Sequence, residues 1–162
     1  EIQAILRRAG HILGSASIEL RIGLEQPFRL VFSGDLGRWG KPILRDPDLV
    51  PEADVLLVES TYGDRTHGQA PGDRLVQIVH DVVKRKGALL VPAFAVGRTQ
   101  DLMWLLRELE NAGKIPSLPV FIDSPMAINV ADLYCRHPED HALDMKLLMD
   151  EKRCPLCCKQ YN

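Results

Sequence analysis

Apolar and polar positions alternate in the first third of the chain. Ile18, Leu20, Ile22 and Leu24 are interleaved with Glu19, Arg21 and Gly23, the period of a strand with one covered face. Shorter strands are expected at 2–6 and 28–32, and Gly-rich turns between them make the three one sheet layer. Between Gly34 and Glu52 the chain carries Gly37, Gly40, Pro42, Pro47 and Pro51 with no sustained period, a loop region. Asp54-Val55-Leu56-Leu57-Val58 then reads as a buried strand that runs into Glu59.

Beyond this point the period changes. Leu75, Val76, Ile78, Val79, Val82 and Val83 follow helical spacing over about 73–86, and Gly87 stands where a C-terminal cap belongs. A strand is expected at 88–91. Thr99 is placed to cap a helix carrying Leu102, Met103, Leu105, Leu106 and Leu109, ended by 111–113. Another strand is expected at 119–122 and a helix from about Pro125 to Cys135. Strand alternating with helix implies a parallel, helix-flanked sheet. The change of style near 62–72 marks the expected domain boundary, and no internal repeat or low-complexity tract is present.

Composition narrows the class. With 162 residues, 46% apolar and 26% charged, the chain has globular composition and length for one domain or parts of two. Its apolar runs at 55–58 and 88–96 are far shorter than the roughly 20 residues that cross a bilayer, so no membrane partner is expected. The first eight residues lack the features of a secretory signal, and the missing initial Met suggests a start inside a longer protein. A net charge of -2 argues against nucleic-acid binding by bulk electrostatics. Local focusing stays open, because Arg38, Lys41 and Arg45 neighbour one candidate site and Arg98 another. Cys135 stands alone while Cys154, Cys157 and Cys158 cluster, unlike a secreted disulfide framework. A reducing, cytoplasmic setting is expected. Cys154 and Cys157 have the spacing of half a zinc knuckle, but without a second pair they read as ordinary thiols.

Four segments carry residues with chemical potential. His11, between glycines in GHILGSA and directly after a strand, reads either as a structural histidine in a turn or as an imidazole facing a ligand. Asp35 in SGDLG follows the apolar strand at 28–32. Strand ends of this kind hold ligands in α/β folds, although Asp beside Gly is also ordinary turn chemistry. Such a carboxylate can bridge two divalent ions about 3.5–4 Å apart, the spacing used to activate water against a phosphoryl group. Glu59 in ESTYG ends another apolar run and needs a partner there, structural or functional. Gly97-Arg98-Thr99 precedes a helix whose N-terminal amides favour anions, so it either binds phosphate or simply starts the helix.

Taken together, GHILGSA, FSGDLG, ESTYG, PAFAVGRTQDL and IDSPMA occur in an order and at spacings that resemble the β-CASP nucleases of the metallo-β-lactamase superfamily, a family with RNA-processing endonucleases among its members. The resemblance covers essentially the whole chain. It implies an α/β fold, with residues 1–64 part of a metallo-β-lactamase αββα sandwich and residues 65–162 the first part of a Rossmann-like, parallel-sheet β-CASP domain. It implies that His11 is a zinc ligand, that Asp35 bridges two zinc ions and serves catalysis, and that Glu59 is the acidic residue opening the β-CASP cassette, which orients a downstream histidine. By the same resemblance Arg98, Thr99 and Ser124 face the substrate strand.

The expected function is therefore zinc-dependent cleavage of RNA by a longer parent, alone as a homo-oligomer or within an RNA-processing complex, with single-stranded DNA the alternative substrate. The His-x-His-x-Asp-His cluster and the two later histidines that complete the family's zinc site are absent from this sequence. Two ligands do not close a tetrahedral site, so this stretch alone is expected to be inactive. The other histidines read blandly: His67 lies in a loop, His80 at the edge of a helix face, and His137 and His141 are separated by Pro138, which breaks the helix their spacing would need. A non-catalytic scaffold paralogue is the competing class, with retention of His11, Asp35 and Glu59 against it. A hydrolase of small esters or thioesters is a third reading. Endo- versus exonucleolytic action and oligomeric state are not legible.

Overall fold

Strand β1 (Ile2–Arg8) pairs antiparallel with β2 (Ala16–Ile22), β2 pairs antiparallel with β3 (Phe28–Phe32), and β3 pairs parallel with β4 (Val55–Leu57). The sheet order is thus β1-β2-β3-β4. This computed structural model describes residues 1–65, 72–142 and Leu156. They belong to two units, Glu1–Arg65 with Pro138–Asp144, and Thr66–His137 with Met145–Asn162.

The alternation of the sequence becomes a two-faced sheet, because facing residues share a side. Leu6, Ile18, Phe32 and Leu57 form one cross-strand row and Ala4, Leu20, Leu30 and Val55 the next. Ile2, Ile22 and Phe28 complete an apolar face, whose outer members, such as Leu6 at 70% and Ile2 at 69%, are exposed in this chain. The opposite face mixes apolar Ile5, Val31 and Leu56 with charged Arg7, Glu19, Arg21 and Arg29. There Glu19, only 2% exposed, accepts from Arg7 at 2.5 Å and from Arg21 at 2.7 Å. Hydrogen bonding from Arg21, helped by Arg7, outweighs desolvation and holds its carboxyl below the ordinary value of 4.5.

The segment after Pro138 returns to the first unit. His141 bridges Leu44, Ala142 donates its N–H to the Ile43 carbonyl, and Arg8 meets Asp140 at 3.5 Å. Ile43, Leu44 and His141 are buried there.

In the second unit, helices α1 (Gly72–Lys84) and α2 (Arg98–Asn111) enclose a core of Val79, Leu109 and Ile115, with Leu75, Val76, Leu105 and Leu106 against it. Helix α3 (Pro125–Arg136) follows, and Pro138–Asp140 forms a single 3-10 turn.

Several expectations need correction. The stretches 88–91 and 119–122 are not strands. Their apolar residues are exposed, Leu90 at 87% and Phe121 at 83%, and no described neighbour offers them a ladder. The parallel sheet expected in this half is therefore not formed among the described residues, and parallel pairing is confined to β3 and β4. The left-handed turn after α1 falls on Lys86, φ 52°, rather than on Gly87. Helix α2 is capped by Gly97, not by Thr99, whose hydroxyl instead donates back to the Phe94 carbonyl at 2.8 Å. His67 and the cysteines at 154, 157 and 158 lie outside the described residues, whereas Cys135 is half-buried on α3. Among the described residues no helix is long and apolar enough to cross a membrane.

Candidate active site

Chain direction decides what meets at the sheet edge. Strands β1 and β3 are both antiparallel to β2 and so run the same way, and β4 runs with β3. All three therefore end on one edge, where ligand-binding loops gather in folds of this kind. His11 follows β1, Asp35 follows β3 and Glu59 follows β4. Thus three chemically capable residues, far apart in sequence, are delivered to one rim.

The loops are fastened there by named bonds. In the first, the Ser15 hydroxyl accepts from the N–H groups of His11 at 3.0 Å and Ile12 at 3.2 Å, and Ala9 donates to the Ser15 carbonyl at 2.9 Å. Lys41 Nζ donates to the His11 carbonyl at 2.7 Å. The Asp35 loop lies directly on this turn, for Gly37 donates its N–H to the Ala9 carbonyl at 2.8 Å. A Cβ at Gly37 would stand 1.8 Å from the Gly10 carbonyl oxygen, so only glycine fits.

Glu59 closes the arrangement. Its backbone N–H donates to Ser33 Oγ at 3.0 Å, one oxygen of its carboxylate accepts from the Leu36 N–H at 3.0 Å, and the other accepts from the Thr61 N–H at 3.3 Å. Hydrogen bonding from Thr61 first, then from the Leu36 amide, with attraction to His11 added, holds this carboxyl below its ordinary range. Asp35 itself is exposed, next to the peptide that Glu59 holds.

His11 and Asp35 are donor types suited to zinc, but a catalytic zinc needs three protein ligands and an open position. Among the described residues no group of three or more His, Cys, Asp or Glu can hold a metal ion. The residues described in this chain therefore do not form a complete metal site.

The remaining candidates sit in the second unit. Exposed Arg98 and half-buried Thr99 begin α2, and half-buried Ser124 caps α3, its hydroxyl accepting from the Ala127 N–H at 3.2 Å. The other histidines serve elsewhere: exposed His80 donates from Nε2 to the Lys114 carbonyl at 2.8 Å, and His137 and His141 belong to different units. Arg45 Nε donates to the His141 carbonyl at 2.9 Å rather than serving the rim. The bonds made by Lys41, Ser15 and Ser33 have no local sequence signature.

Comparison with known proteins adds an independent finding. The Beta-Casp domain family matches residues 99–162. Over 131 residues, 80% of this chain, the sequence is 38% identical to "Ribonuclease TTHA0252" of Thermus thermophilus, covering 29% of that protein. It is 34% identical over 144 residues to "Transcription termination factor FttA" of Pyrococcus horikoshii, covering 86% of this chain and 22% of the relative. The factor of the same name from Methanothermobacter thermautotrophicus is 35% identical over 151 residues, 90% of this chain and 23% of its own length. The chain spans less than a third of the length of these relatives.

Proposed function

We propose, for a chain that belongs to the β-CASP family of the metallo-β-lactamase superfamily, that it is part of a zinc-dependent phosphodiesterase that cleaves RNA. The observation that carries this reading is the common sheet edge at which β1, β3 and β4 deliver His11, Asp35 and Glu59, with Leu36 and Gly37 fastening the three loops. In the proposal His11 and Asp35 supply two of the ligands of a zinc pair, and the others lie outside the described residues. When bound, such a pair supplies an activated water and charge stabilisation for a phosphodiester.

This chain's own contribution is positional. Glu59 holds the Leu36 peptide and so fixes where the neighbouring Asp35 carboxylate stands. Lys41 and Ser15 hold the turn from which His11 projects. Arg98, Thr99 and Ser124 grip the RNA strand in this reading. The name of the Thermus relative, a ribonuclease, supports RNA over single-stranded DNA. The exposed apolar sheet face supports the finer fold proposal of a sandwich, in which a second sheet covers Ile2, Leu6, Phe28 and Leu57. A cytoplasmic RNA-processing setting belongs to the same proposal, as does inactivity of this stretch by itself.

Labelled RNA and DNA of equal sequence, incubated with the intact protein, test the reading. Cleavage of RNA that stops on zinc chelation and is lost in Asp35→Ala is expected. Preferential cleavage of DNA, or undiminished activity of Asp35→Ala, refutes it.

A further inference from the structure

Gln100 is completely buried, 0% exposed, and a buried amide is costly unless its polar atoms are matched. The two ends of its side chain serve different segments. Oε1 accepts from the Gly97 N–H at 2.7 Å, while Nε2 donates to the Ala95 carbonyl at 3.1 Å and to the Ala127 carbonyl at 3.5 Å.

Gly97 and Ala127 belong to helix starts, and Ala95 to the turn that leads into the first of them. Gly97 holds φ 79°, a left-handed turn that glycine adopts without strain, immediately before Arg98. Thr99 is drawn back to the same loop, since both its N–H and its hydroxyl donate to the Phe94 carbonyl. Ala127, 1% exposed, lies in the first turn of α3, and its N–H donates to the Ser124 hydroxyl. One alanine is therefore tied at its N–H to Ser124 and at its carbonyl to Gln100.

We propose that Gln100 is the positioning residue that sets the spacing between the helix start bearing Arg98 and Thr99 and the helix start bearing Ser124, and through it the affinity for the RNA strand. The inference rests on the RNA-cleaving reading above. The chemistry is specific to an amide, because one acceptor must meet Gly97 while donors meet two carbonyls. A glutamate of the same shape still accepts from Gly97 but turns lone pairs toward the carbonyls of Ala95 and Ala127.

Steady-state cleavage of labelled single-stranded RNA by the intact, zinc-supplied protein provides the test, with thermal unfolding to verify that each variant is folded. Gln100→Glu raises KM about tenfold and leaves kcat within about threefold, the signature of lost uniform binding. Arg98→Ala also raises KM, and adding Gln100→Glu to it costs less than about threefold more, because coupled residues are non-additive. If Gln100→Glu does not fold, Gln100→Met, of nearly the same length but without the amide, produces the same KM shift. An unchanged KM in the folded variant, a fall in kcat alone, or fully multiplicative losses with Arg98→Ala overturns the inference and leaves the RNA reading standing. Failure of the wild type to cleave RNA removes the RNA reading and this inference with it.

Discussion

The peptide of Gly37 rests against that of Gly10 so closely that a methyl group on Gly37 would stand 1.8 Å from the Gly10 carbonyl oxygen. This contact joins the Asp35 loop to the His11 turn. Gly37→Ala must displace backbone rather than a flexible side chain, and its expected cost is at least about 3 kcal/mol. Denaturant unfolding of the intact protein measures it. Gly72→Ala is the control, since its Cβ meets nothing within 4 Å among the described residues; at a helix start it is expected to be neutral or stabilising by up to about 1 kcal/mol.

Glu59 ties the loops through the amides of Leu36 and Thr61. Glu59→Ala releases both, and their hydrogen exchange is expected to accelerate several-fold, because the two amides lose their acceptor. Amide exchange read by NMR checks this. Unchanged protection of Leu36 would show that the tie does not hold the Asp35 loop.

Glu19 predicts an acid limb in the stability profile. Its carboxyl is held below 4.5 in the folded protein by Arg21 and Arg7, so the unfolded chain binds the proton more readily. The contribution is present above pH 4.5 and is lost as pH falls through the lower folded value. At neutral pH Glu19→Ala is expected to cost about 1–3 kcal/mol, less than a fully buried pair, because the exposed parts of Arg7 and Arg21 can turn to water. The difference between wild type and variant shrinks below pH 4.5, which unfolding midpoints across pH reveal.

How far the sequence reaches is clear from particular residues. Alternation from Ile18 to Ile22 located β2, and helical spacing from Leu75 to Val83 located α1, because burying one face dictates a local period. The same reasoning misplaced strands at 88–91 and 119–122, since a strand is defined by its neighbour and no local pattern supplies one. Thr99 read as a cap because its residue type favours caps. Gly97 took that place through a positive φ, with Gln100 reaching back from inside the helix. His11, Asp35 and Glu59 were legible as strand-end residues, but Lys41 on the His11 carbonyl and Gln100 on the Ala127 carbonyl are long-range contacts without a sequence signature.

The proposed delivery of His11 and Asp35 to one zinc centre is tested most directly by anomalous diffraction at the zinc edge from crystals of the intact protein. Zinc peaks are expected within about 2.0–2.2 Å of a His11 ring nitrogen and of an Asp35 carboxylate oxygen, at the edge where β1, β3 and β4 end. Zinc bound only elsewhere, with His11 and Asp35 outside its coordination sphere, would contradict it.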